Sequence, residues 1–124
     1  MNIVARIPPA FNIDELQEQM EAWSNGAELK FLGSDPAYRA EKAIPPVRAL
    51  LRAIRSEGGR PRFKLKTGTS DMNTVGPAWE CPMVAYGPGD SSLDHTPHEH
   101  IEIDEFYRSI AVLTTALGIL AEPD

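Results

Sequence analysis

A single cysteine, Cys81, is all the thiol the 124-residue chain carries. That excludes an internal disulfide framework and any Cys-x-x-Cys zinc site, so a reducing, cytoplasmic setting is the expectation. Basic charge is short too: 12 Lys and Arg stand against 18 Asp and Glu, a formal net charge of −6. A chain of that sign is poorly suited to nucleic acid or an anionic membrane surface. No apolar run reaches the roughly 18 residues that a membrane span needs. The opening MNIVARIPPAFN lacks the basic region and apolar stretch of a secretory signal. What is plentiful is proline, with 11 residues, about twice the usual share, which predicts short elements and sharp turns. A hydrophobic fraction of 42% is enough for the core of one domain, or of one domain with a piece of another.

Residues 2–7 alternate as a strand would, and Pro8-Pro9 stops them. Asn12 with Glu15 three places on predicts a helix start. Ile13, Leu16, Met20 and Trp23 then recur at helical spacing until Asn25-Gly26. Ala27, Leu29 and Phe31 alternate towards Gly33, so residues 1–33 read as strand–helix–strand. Asp35-Pro36 marks a boundary, and residues 34–124 form the second unit. Pro46 opens a helix whose stripe is Val47, Leu50, Leu51 and Ile54, closed by Gly58-Gly59. Phe63 and Leu65 suggest a short strand running into the polar KTGTSDMN. PMVAY, residues 82–86, is expected as a buried strand. A last helix over roughly 105–120, capped by Asp104 and apolar nearly all round, is expected to pack deeply. The fold class predicted from this order is α/β.

The three histidines fall within six residues, His95, His98 and His100, among Asp94, Glu99, Glu102 and Asp104. Imidazole and carboxylate suit divalent transition metals. In an extended chain, however, His95 would face away from the other two, so a solvated polar loop competes with metal ligation. GPGDSS, residues 87–92, lacks the lysine and spacing of a phosphate loop and reads as a tight turn. The hydroxyls of KTGTSDMN would need a histidine from the distant cluster to make a hydrolase triad. Cys81 beside an apolar segment reads as a small core residue. Arg6 is the one charge in the first alternating segment; facing solvent it would do nothing, but opposite a carboxylate its fork gives bidentate recognition.

The order GTSDMN, then an apolar segment ending in YGPGD, then LDHTPHEHIEIDE, resembles the C-terminal end of the M20 metallopeptidase family. KTGTSDMN and CPMVAYGPGDSSLDHTP point to the branch of amino-group carrier protein–lysine or –ornithine hydrolases. The likeness runs over the whole chain. It implies that residues 1–33 are a βαβ remnant of the lid or dimerisation domain, and residues 34–124 the C-terminal part of a zinc-peptidase-like α/β catalytic domain. It implies amide cleavage at a two-zinc site, with a metal-activated water and a glutamate base. Within that resemblance His95 corresponds to a metal-ligand histidine. Gly68 and Thr69 correspond to the loop that contacts substrate, and Arg6 to the lid arginine that holds a substrate carboxylate. His98 and His100 do not match ligand positions.

The N-terminal His-x-Asp and Glu-Glu pairs of that family have no counterpart here. No catalytic residue is therefore assigned within the chain. Zinc or cobalt is expected only when the missing N-terminal ligands complete the site, since a catalytic zinc takes about three protein ligands. The leading expectation is a fragment, inactive alone, of a zinc-dependent amidohydrolase in lysine or arginine biosynthesis. It would act on a small amino-acid amide or a carrier-protein substrate. Its partners would be the missing catalytic portion or a second copy of itself, with neither nucleic acid nor membrane involved. The alternatives are a non-catalytic binding or assembly module that keeps the fold, and a small metal-binding protein built on the histidine cluster.

Overall fold

A computed structural model describes residues 1–33, 35–66 and 68–122. Four helices follow one another: α1 (Ile13–Trp23), α2 (Pro45–Ser56), α3 (Asp71–Trp79) and α4 (Ile103–Ala121). Among the described residues there is no strand and no sheet. The expected α/β class and the βαβ remnant in residues 1–33 are therefore incorrect, and the described fold is all-α. Residues 2–7, 27–32, 63–65 and 82–86 are non-helical backbone with no ladder partner. An alternating pattern says which face of a segment could be buried. A strand also needs a neighbour to pair with its N–H and C=O groups in a ladder, and among the described residues no such ladder forms.

The chain divides into two compact units, Met1–Arg39 with Leu65–Glu80, and Ala40–Lys64 with Cys81–Asp124. In the first, Asn12 caps α1 through its side chain, which accepts from Asp14 N at 3.0 Å, while Asn12 Nδ2 donates to Glu15 Oε1 at 3.1 Å. The stripe on α1 is only half-buried, and Trp23 is 73% exposed. Helix α3 lies where the sequence suggested a polar loop. Its start is fixed by Ser70 N–H donating to Asn73 Oδ1 at 2.9 Å. Asn73 Nδ2 in turn donates to the Pro36 carbonyl at 2.8 Å.

Gly76 is buried in α3 because the Tyr38 ring lies on it; a Cβ built there would fall within the ring, with Tyr38 Cζ at 3.0 Å. Gly76→Ala should therefore destabilise the first unit by about 1–3 kcal/mol, the cost of overpacking. That exceeds the roughly 1 kcal/mol alanine gains as a helix former. A thermal melt reads the loss. Tyr38→Ala in the same chain should make Gly76→Ala neutral or stabilising, and a loss that persists there would acquit the ring.

In the second unit α2 packs on α4, the one helix pair in contact among the described residues. Pro45 and Pro46 occupy its first turn. Its end is a Schellman motif: Gly58 N–H bonds to Arg55 O at 3.1 Å, Gly59 N–H to Ile54 O at 2.7 Å, with Gly58 at φ 75°. The core is a seam of small side chains, Ala49 and Ala53 against Val112 and Ala116, flanked by Leu50, Ile54, Tyr86 and Ile119. Small residues let two helices approach closely. Ser109 is buried with its hydroxyl donating to Phe106 O at 2.7 Å, and Thr115 Oγ1 reaches Glu57 Oε1 at 3.3 Å. Helix α4 does not pack all round: Ile110, Leu113, Leu117 and Leu120 are exposed. No described helix is long and apolar enough to cross a membrane.

Candidate functional site

Arg6, Gly68 and Thr69 belong to the first unit and His95 to the second. Arg6 is carried on irregular, non-helical backbone just before Pro8-Pro9, and Gly68 lies in the bend that leads into α3. The two are neighbours. A Cβ built on Gly68 would stand 3.3 Å from Arg6 Nη1 and 3.9 Å from Lys66 Cε. The glycine thus leaves room for the guanidinium beside an open backbone. Thr69 is exposed next to it, and Thr67 lies outside the described residues. A guanidinium beside a glycine backbone and a hydroxyl can bind a carboxylate through charge-assisted bonds.

The segment from Gly87 to His100 is a run of turns. Glu105, in the first turn of α4, accepts from Gly89 N–H at 3.1 Å. Gly89 itself sits at φ 97°, which favours glycine. The Tyr86 hydroxyl has its pKa raised, first by partial burial and then by the Glu105 carboxylate. Asp90 is held below the usual carboxylate range by the Ser92 backbone N–H, then the Ser92 hydroxyl and, more weakly, Lys64 at 3.9 Å. Successive bonds Leu93 N to Asp90 O, Thr96 N to Leu93 O and Glu99 N to Thr96 O tie the turns together. Within them His95 adopts φ 63° and its N–H donates to Glu99 Oε2 at 2.8 Å.

The three histidines are all exposed. His100 Nδ1 lies 2.6 Å from the His98 carbonyl and its Nε2 is 3.5 Å from Glu102. Among the described residues no group of three or more His, Cys, Asp or Glu gathers closely enough to hold a metal ion. His95 is one donor of suitable chemistry, and one donor does not hold a catalytic zinc. The residues present do not by themselves fit a zinc or cobalt centre. Helix α3 was not expected from the sequence; Ser70 is a favoured N-cap residue type, but Asn73 is not the Glu or Gln of the usual capping box.

Comparison with known proteins adds a second line. The profile of the peptidase family M20/M25/M40 matches residues 4–118. The LysW-lysine hydrolase of Deinococcus radiodurans is 51% identical over 114 residues, covering 90% of this chain and 32% of that protein. A Thermococcus kodakarensis protein provisionally named LysW-lysine/LysW-ornithine hydrolase is 44% identical over 117 residues, 94% of this chain and 30% of its own. The LysW-lysine/LysW-ornithine hydrolase of Saccharolobus islandicus is 35% identical over 106 residues, 86% of this chain and 30% of its own. The chain thus spans about a third of the length of the curated relatives it matches.

Proposed function

The chain belongs to the peptidase family M20/M25/M40, and on that premise we propose that it is the C-terminal portion of a metal-dependent amidohydrolase. In this reading the whole enzyme releases lysine or ornithine from an amide with a carrier protein, in amino-acid biosynthesis in the cytoplasm. The observation that carries the reading is the 51% identity to a LysW-lysine hydrolase along 90% of the chain. Residues 1–33 belong to the lid or dimerisation domain and residues 34–124 to the catalytic domain. Arg6, Gly68 and Thr69 bind the substrate carboxylate, and His95 contributes one imidazole to a zinc or cobalt site whose other donors come from outside this chain. Arg6 neutralises and orients, Gly68 keeps the guanidinium close to the backbone, and Thr69 offers a hydroxyl. The bond-breaking groups lie elsewhere, so the chain by itself performs none of the chemistry.

Zinc content tests the division of ligands. After dialysis at micromolar concentration the chain alone should retain far less than one zinc per molecule, whereas the completed enzyme should hold its metal. One tightly held zinc per isolated chain would move the site to the histidine cluster and favour a small metal-binding protein.

Arg6→Ala tests the carboxylate contact. A hydrogen bond to a charged group contributes roughly 1.5–3 kcal/mol, so KM in the completed enzyme should rise by about 10–100-fold with kcat little changed. Arg6→Lys keeps the charge and loses the fork, and should fall between. Wild-type kinetics in Arg6→Ala would leave the guanidinium a solvated surface charge.

A further inference from the structure

Helix α4 carries two rows of side chains suited to burial, and only one of them is covered. Ser109, Val112 and Ala116 are buried, the last two in a common core with Ala49 and Ala53 of α2. The other row is Ile103, Phe106, Ile110, Leu113, Leu117 and Leu120, exposed by between 40% at Leu113 and 70% at Ile103. Its steps are three, four, three, four and three, the a/d repeat with which one helix seats its side chains against another. From Ser109 to Ala121 the helix has no charged residue. Along its C-terminal half the row floors an apolar groove whose walls include Leu50, Val84 and Tyr86.

We propose that this row is an interface between two copies of the chain, α4 against α4 across a two-fold axis. Self-complementarity is the first argument. The steps read the same from either end, so antiparallel copies set Ile103 opposite Leu120, Phe106 opposite Leu117 and Ile110 opposite Leu113. Charge is the second. A net charge of −6 opposes self-association over most of the surface, but the uncharged stretch of α4 offers nothing to repel a copy. Like charges meet only at the ends, Glu102 near Glu122, where both are exposed and screened by salt. Area is the third. The chain exposes 10445 Å². Two folded domains of the sizes of its units would together expose roughly 7,900 Å². The surplus is well above the roughly 800 Å² per partner that a standard interface covers. None of the carboxylate-binding or metal-donor residues lies on this row, so the proposal goes beyond the enzyme reading and does not depend on it.

Sedimentation equilibrium of the 124-residue chain tests it. With rising concentration the mass should climb from 13.6 kDa to twice that value and stop, because a two-fold contact closes at the dimer. Leu113→Glu and Leu117→Glu would each bury a charge in the contact and should weaken association by at least about tenfold. Gln19→Glu adds the same charge on an exposed position of α1 and should change nothing. Far-UV circular dichroism and the protected amides of Val112 and Ala116 should stay as in the wild type, since the row lies off the α2 contact. Leu117→Ala is the second variant: it adds no charge, suits a helix, and should still weaken association severalfold. A chain that stays monomeric at every concentration overturns the proposal and leaves the row to the part of the enzyme outside this chain. A dimer that all three leucine variants leave intact overturns it too, because another face then holds the copies together. Growth past the dimer mass is a third refutation. None of these outcomes bears on the enzyme reading, which the kinetics of the completed protein decide.

Discussion

His95→Ala in the completed enzyme is expected to abolish turnover, while His98→Ala and His100→Ala leave most of it. Removing a group behind a metal ligand costs roughly 10–100-fold, and loss of the ligand itself should exceed that. The other two histidines differ in what holds them. The His98 backbone N–H donates to Thr96 Oγ1 and its carbonyl meets His100 Nδ1; both contacts use its main chain, which alanine keeps. His100 meets that carbonyl and, at 3.5 Å, Glu102, exposed contacts of little energy. Exposed substitutions of that kind stay within about 0.5 kcal/mol, or roughly twofold. Turnover of the three variants side by side decides the matter. His98→Ala as damaging as His95→Ala would place the imidazole donor elsewhere in the cluster and leave family membership untouched.

The parts of this fold that were legible in the sequence are those whose signals are local. Helix α2 announces both its ends, through Pro46 and Gly58-Gly59; the structure starts the helix one residue earlier, at Pro45, and uses the glycines in a Schellman motif. Asn12 and Glu15 mark α1 in the same way. The strand expectations failed because a strand is a property of two segments, and periodicity reports on one. Helix α3 was hidden for the opposite reason. Gly76-Pro77 reads as a breaker, yet Gly76 is the place where Tyr38, far upstream, requires the absence of a side chain. The apolar surround of α4 promised deep packing, but alanines on α2 offer a narrow seam, and only Ser109, Val112 and Ala116 are buried on α4.

The candidate site divides similarly. Arg6, Gly68, Thr69 and His95 were reached through motif resemblance, since composition and spacing left each beside a plain structural reading. That Arg6 and Gly68 are neighbours is visible only once the chain is folded. The left-handed His95 carried no sequence signal beyond histidine's several-fold enrichment in that region.

Ala53→Leu should produce the largest loss of stability in the second unit. Ala53 is 0% exposed and stands in the seam with Ala49, Val112 and Ala116. A leucine there has no void to enter, so α2 and α4 must separate or distort, at about 1–3 kcal/mol. For a unit of this size each kcal/mol lowers the melting midpoint by roughly 4–8 °C. Arg52→Leu adds the same side chain one residue away on the exposed face and should shift stability by no more than about 0.5 kcal/mol. Melting followed by far-UV circular dichroism separates the two. Equal midpoints for Ala53→Leu and wild type would mean that the α2–α4 seam is not what holds this unit together. The seam also bears on the site, because α4 carries Glu105, whose carboxylate holds the Gly89 N–H of the loop that leads to His95. A variant that pushes α4 away should therefore loosen the Gly89 amide as well as lower the melting point. Arg52→Leu should do neither.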